Sequence, residues 1–194
     1  YAMAITSVLS SYFIKGNHAM YLVFDRTLTR MGFPSKAARE TAEEGQEHYP
    51  IVLLGYHRGA RAIVEKIEEN APDLLEKILV IDFNLEILKE LENRHVKGIF
   101  GDISSMDTLD HAHVAGAEVI LSTIPDMLLK NTSNLSLVKT CRMLAPHALI
   151  VATADAAEQA EELKNSGANE VLLPYSLIGE TIAEMLLDWQ QKGA

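Results

Sequence analysis

From Pro50 onward, short apolar runs alternate with longer stretches whose apolar positions recur every three or four residues. The runs fall at residues 51–54, 78–81, 98–100, 119–122, 149–152 and 170–173. Each has the length of a strand and is flanked by turn-forming residues. The intervening periodicity predicts helices over 58–69, 85–91, 128–144, 156–165 and 177–189. Strands alternating with helices imply right-handed crossovers and a parallel sheet covered on both faces. Six such strands suit two mononucleotide-binding halves. The pattern therefore predicts an α/β, Rossmann-like, doubly wound parallel six-stranded sheet of order 3-2-1-4-5-6, preceded by an N-terminal helical segment.

Local signals sharpen the element ends. Asn84 stands where a helix N-cap is wanted, and Ser166-Gly167 is a helix C-terminal stop. The last helix repeats Ile178, Ile182, Met185, Leu186 and Trp189 along one side, a stripe expected in the core or at a subunit contact. Before Pro50 the texture differs. Residues 36–47 are polar and helix-favouring without a sustained apolar stripe, so a linker helix is expected over 34–49. Residues 2–14 and 19–24 are apolar runs, each short of the roughly 20 residues a spanning helix needs. The segment 1–33 then reads either as the end of a membrane region or as apolar helices packed on the domain over 50–194. The first residue is Tyr rather than Met, which suggests a piece of a longer protein.

Charge separates the same regions. Lys15, Arg26, Arg30, Lys36 and Arg39 face a single acidic residue, Asp25, in the first 39 positions. The rest of the chain holds the acidic excess that brings the net charge to −10. Basic residues after an apolar run mark the cytoplasmic side of a membrane span. So acidic a surface argues against a dedicated nucleic-acid binder, which needs clustered Lys and Arg. One cysteine, Cys141, excludes an internal disulfide, and no Cys/His spacing matches a structural zinc site. His111 and His113 would diverge on a helix rather than share a metal.

Chemistry concentrates where the first strand ends, in Gly55-Tyr56-His57-Arg58-Gly59-Ala60. An apolar strand, a glycine turn and a helix start are the context of a dinucleotide fingerprint, with helix amides offered to an anion. Ala60 is small enough for close helix–strand packing. His57 takes the middle glycine position, where the backbone normally approaches the pyrophosphate, and Gly59 is out of register with it. Asp82 ends the second strand, where an acidic residue can accept from ribose hydroxyls; the other reading is a cap for the next helix. Gly101-Asp102 follows the third strand similarly, either at the adenine side or as an ordinary turn.

These residues carry a resemblance. The glycine turn with Arg58, then Val80-Ile81-Asp82, then Phe100-Gly101-Asp102-Ile103, is similar to the RCK N-terminal (TrkA-N) domain. Leu121-Ser122-Thr123-Ile124-Pro125-Asp126, Asn134 and Gly167-Ala168-Asn169-Glu170-Val171 sit at family-like positions, and the likeness runs from Pro50 to about Trp189. Residues 4–33 resemble the last membrane helices of KefB-type monovalent cation:proton antiporters. The resemblance implies a regulatory ligand sensor, not an enzyme, on the cytoplasmic face of the cell membrane. It would be joined to the antiporter's membrane domain in the same chain and paired as a homodimer. The expected ligand is an adenine nucleotide (AMP, ADP or ATP) or NAD(H). Gly55, His57, Arg58 and Gly59 would surround its phosphates, Asp82 the ribose and Asp102 the adenine side, with Thr123 at the mouth. Where the family often has a basic residue, this chain has Thr153, which together with His57 argues against tight pyrophosphate binding and leaves a mononucleotide such as AMP, or no nucleotide at all, as readings. Two other readings stay open: a fragment of a soluble NAD(P)-dependent oxidoreductase, and a dimerisation scaffold with a vestigial pocket.

Overall fold

Register decides what the sheet can do. In this computed structural model, which describes residues 48–192, Leu54 at the end of the first strand lies level with Ile81 on one side and Ser122 on the other. Turns leaving these strands are thereby brought side by side. The strands are β1 (Ile51–Leu54), β2 (Ile78–Asp82), β3 (Lys97–Phe100), β4 (Val119–Ser122), β5 (Leu149–Thr153) and β6 (Glu170–Leu172). They form a six-stranded sheet in the order β3-β2-β1-β4-β5-β6, and every neighbouring pair is parallel. That is the expected Rossmann-like topology. The readings of 1–33 and of the linker over 34–49 lie outside the described residues, save His48 and Tyr49, which are not helical.

The helices are α1 (Arg58–Asn70), α2 (Leu85–Asn93), α3 (Met106–His111), α4 (Asn134–Leu144), α5 (Ala157–Asn165) and α6 (Pro174–Lys192). Alternation along β1 sends Val52 and Leu54 to one face and Leu53 to the other, all essentially inaccessible. The first face is covered by Leu109 of α3, Leu137, Val138 and Cys141 of α4, and Leu163 of α5. The second is covered by Ala60 and Val64 of α1 and Leu91 of α2. Each fully buried Leu, Ile or Val contributes about 1.5–3 kcal/mol relative to exposure. Covering on the second face fades toward β5 and β6: Leu149 and Leu172 are 43% and 48% exposed, and Val151 is half-buried.

Two helix ends differ from the sequence pattern. The helix expected to start at residue 128 starts at Asn134, because the Ser133 side chain accepts from the Ser136 N–H at 3.2 Å and caps it there. Ahead of it lie a 3-10 turn, Asp126–Leu128, and a left-handed residue, Asn131 with φ +59°. The last helix begins three residues early, at Pro174, whose fixed φ suits a first helical turn. Its stripe is not in the core: Ile178, Ile182, Met185, Leu186 and Trp189 are each more than half exposed. The other edge of this half is locked by Arg142. Its guanidinium donates to the carbonyls of Gly167 (2.7 Å), Pro146 (2.8 Å) and Ala148 (2.9 Å), tying α4 to the turns around β5 and β6.

Candidate functional site

The site is built from the turns at the carboxyl ends of β1, β2 and β3. Gly55 closes β1 with φ +79°, a left-handed conformation that favours glycine. Its N–H donates to Ile81 O at 2.8 Å. The next N–H, of Tyr56, donates to Asp82 Oδ2 at 2.8 Å, and Asn84 N–H donates to Asp82 Oδ1 at 2.8 Å. Asp82, only 7% exposed, therefore joins the glycine turn to the β2–α2 turn. Asn84 in turn accepts from Glu86 N–H at 2.9 Å and is the N-cap of α2, as its position predicts. An ionised carboxylate has about four acceptor sites, so backbone donors leave Asp82 about half of its capacity.

Beside this corner lies a cavity of about 270 Å³, close to the lower end, about 300 Å³, of the range for ligand pockets. Gly55, Asp82 and Asp102 line it, with Ile81, Phe83, Ile103 and Ile124 as its apolar part. Asp102 accepts from Ser104 through Oδ1, from N–H and hydroxyl both at 2.8 Å, while Oδ2 has no hydrogen-bond partner among the described residues. The turn reading of Asp102 is thus real, and one oxygen remains. Leu128, Leu129, Lys130, Asn131 and Thr132 complete its lining, none of them expected in the site. The cluster Asn131-Thr132-Ser133 is nonetheless a loop signal, and it breaks the apparent helix.

The other four candidate residues, His57, Arg58, Gly59 and Thr123, do not line this cavity; they gather on the α1 side of the glycine turn. His57 precedes α1 in extended conformation without a side-chain cap, and the first turn has no acidic residue. The opening N–H groups of α1 keep their affinity for an anion. Arg58 is exposed. Gly59 sits against Thr123: a Cβ at 59 would lie 2.9 Å from Thr123 Cβ and 3.0 Å from its Oγ1. The space Gly59 leaves is filled by Thr123. Thr123 Oγ1 is enclosed without a hydrogen-bond partner among the described residues. Ile124 lies directly over Gly55, where any side chain at position 55 would meet it. Thr153, the residue in place of a basic one, is half-buried at the end of β5.

These observations fit a nucleoside better than a catalytic centre. The slot has apolar walls of a size for a planar group, Asp82 and Asp102 bring acceptor oxygens to it, and the N-terminus of α1 lies beside the same glycine turn. Tyr56, in the middle of the turn, belongs instead to the core. It is 3% exposed beneath the Arg61 guanidinium, 5.6 Å from its ring centroid, and burial raises its phenol above the ordinary value. Cys141 is fully buried, and burial pushes its thiol up to about 12, which leaves it a packing residue. His111 makes a 2.7 Å contact from Nδ1 to Asp107 O on its own helix, while His113 follows α3 with φ +52°. No helix among the described residues is long and apolar enough to cross a membrane.

Comparison with known proteins places this geometry. The model of the TrkA-N domain family matches residues 51–174. "Probable potassium channel protein 2" of Methanocaldococcus jannaschii is 34% identical over 144 residues, covering 72% of this chain and 39% of that protein. "Putative cation/proton antiporter YbaL" of Escherichia coli is 23% identical over 176 residues, 88% of this chain and 30% of that protein. The chain thus spans less than half the length of either relative. Among solved structures, the TrkA-N domain of the Escherichia coli inner membrane protein YbaL has a TM-score of 0.62 at 24% identity, covering 73% of this chain and 98% of that one. The GsuK channel, solved bound to NAD and bound to ADP, has TM-scores of 0.55 and 0.52 at 24% and 22% identity. The covered shares are 66% and 78% of this chain, and 22% and 41% of that one.

Proposed function

The chain belongs to the TrkA-N domain family, and from that premise we propose that it senses an adenine nucleotide or NAD(H) and gates a potassium or sodium:proton antiporter. It is a regulatory-type domain related to potassium channel and cation/proton antiporter proteins. In this reading its membrane partner is the antiporter domain of the same protein, and it stands on the cytoplasmic face. The observation that carries the ligand is the slot between Asp82 and Asp102, with apolar walls and acceptors to spare on both carboxylates. Mechanism then follows from linkage: a ligand that prefers one arrangement of the regulatory domain shifts the transporter toward the state that arrangement favours.

A homodimer is part of the same proposal. The apolar stripe of α6 is exposed, and so are Leu149 and Leu172 on the thinly covered face of β5 and β6. A second copy would supply an apolar helix to one and an apolar surface to the other.

Thermal unfolding of the chain with AMP, ADP, ATP, NAD and NADH tests the ligand. A nucleotide at 100 times its Kd stabilises by about 2.7 kcal/mol, a rise of about 5 to 10 °C in a domain this size. Such a rise, lost in Asp102→Ala, is the expected result. No rise with any of the five overturns the reading. Gating is tested separately, as nucleotide-dependent cation flux through vesicles holding the full-length protein.

A further inference from the structure

Between β4 and α4 the chain makes a strap that the strand–helix pattern does not require, and its residues 128–132 line the slot. The two ends of the strap meet at Asp126. Asp126 Oδ1 accepts from Asn134 N–H at 2.7 Å and from Asn134 Nδ2 at 2.9 Å. Nδ2 of this fully buried residue donates also to Ile124 O at 2.8 Å, and Ser122 Oγ donates to its Oδ1 at 2.6 Å. A loop with joined ends and its own turn, here at Asn131, is a compact unit rather than a loose connection.

The other oxygen of Asp126 reaches out of the strap. Oδ2 accepts from Gln159 Nε2 of α5 at 2.7 Å, and Gln159 Oε1 accepts from Asp155 N–H at 2.9 Å. Both ends of one half-buried amide are thereby committed, one to the strap and one to the corner between β5 and α5. A carboxylate needs a donor and an N–H needs an acceptor, so the amide cannot turn over without losing both bonds. The corner in turn reaches β6: Ala154 N–H donates to Leu172 O at 2.9 Å, and α6 begins just beyond, at Pro174. Hydrogen-bond chains of this kind carry coupling between separate parts of a fold. We propose that Gln159 is a positioning residue that couples the strap to the base of α6, so that the strap and the β5–α5 corner open as one unit. This deepens the nucleotide-sensing reading by naming a route from the slot to the helix with the exposed apolar stripe. The test uses no nucleotide, so failure of the coupling leaves that reading standing.

Amide hydrogen exchange of the full chain tests it, because exchange reports local opening residue by residue. The strap is loosened with Leu128→Gly, at a position 47% exposed and outside the core. In the parent this substitution is expected to speed exchange about two- to fivefold, as the added backbone freedom dictates. The change should appear at Leu129, whose N–H is bonded within the strap, and equally at Ala154 and Asp155. Gln159→Glu keeps an acceptor for Asp155 N–H but sets a second carboxylate against Asp126, so it cuts the bridge on the strap side alone. In that background Leu128→Gly should still speed Leu129 and leave Ala154 and Asp155 unchanged. Gln159→Leu removes both bonds without adding charge, and the same uncoupling is expected there. Exchange at Ala154 and Asp155 that ignores Leu128→Gly in the parent overturns the coupling. So does exchange there that follows Leu128→Gly equally in either Gln159 variant.

Discussion

The Asp82 carboxylate accepts the backbone N–H of Tyr56 at 2.8 Å across 26 positions of sequence. This one bond fixes the glycine turn of β1 to the end of β2, and it does so with the residue that also faces the ligand slot. Asp82 is therefore structural before it is functional. Asp82→Ala leaves the buried N–H of Tyr56 without an acceptor and is expected to cost about 1–3 kcal/mol with no nucleotide present. Urea unfolding of the ligand-free variant measures it. A stability equal to the parent's would show that the glycine turn holds itself.

Gly55 answers to two demands at once, a left-handed φ and the side chain of Ile124 directly above it. Gly55→Ala meets both, so its cost is expected to exceed the roughly 1–3 kcal/mol of ordinary overpacking. Pairing it with Ile124→Ala should return only the steric part, because the backbone strain remains. A double-mutant cycle read by denaturant midpoint separates the two. Full recovery in the pair would mean that φ contributes nothing.

The strap between β4 and α4 hangs on the fully buried Asn134, a dependence testable by its motion. Asn134→Ala removes three side-chain hydrogen bonds from a buried position, with Ser122 Oγ, Ile124 O and Asp126 Oδ1, while the backbone N–H of residue 134 still donates to Asp126. It strands Ser122 Oγ and Ile124 O. A loss of about 2–3 kcal/mol is expected, with amide exchange accelerated at residues 127–133 before the sheet is affected. Uniform acceleration across β1 and β4 would instead make Asn134 a general core residue.

Most of this architecture was legible in the chain, for a physical reason. In β1, β2 and β4 burial on both faces makes the strands continuous apolar runs, so their positions were fixed to within a residue or two. Asn84 and Ser166-Gly167 signalled helix ends through side-chain and backbone chemistry that acts locally. The strap was illegible because Leu128, Leu129 and the leucines after Asn134 keep a helical rhythm across a non-helical turn; only the Ser133 cap interrupts it. Hydrophobic periodicity says that a residue faces something apolar. Whether that is a core, a cavity wall or a partner is decided at long range, and the stripe of α6 failed as a core for this reason. Of the seven residues expected in one site, Gly55, Asp82 and Asp102 line one slot because they end neighbouring strands, whereas His57, Arg58, Gly59 and Thr123 lie outside its lining.

Alkaline pH provides a further test. The Cys141 thiol titrates at about 12 when folded, against about 9 ordinarily, because burial disfavours the thiolate; the Tyr56 phenol is raised too, again by burial. Groups whose folded pKa is raised add stability that is complete below their unfolded pKa and is lost as pH climbs toward the folded one. The melting temperature should then fall progressively as pH passes 9, and Cys141→Ala should flatten part of that slope. At pH 8 the native thiol should react with an aromatic disulfide reagent no faster than the protein unfolds. Rapid labelling of the folded chain would contradict its burial.

For α6 the expectation concerns association. Ile182 is 51% exposed near the middle of the apolar stripe, so Ile182→Glu should leave the unfolding free energy of the monomeric unit within about 0.5 kcal/mol of the parent. Sedimentation should show the dimer of the parent replaced by monomer. A parent chain that sediments as a monomer at all concentrations removes the homodimer from the proposal.

The order of the strands carries one more consequence. Parallel strands are spaced about 4.8 Å apart, so β6, from which α6 departs, stands about 19 Å from β2, which carries Asp82. No residue of the slot's lining comes from β5, α5, β6 or α6. A substitution on β6 or α6 therefore changes no residue that lines the slot. A lineage could exchange the molecule it senses while keeping its partner, or exchange its partner while keeping the molecule.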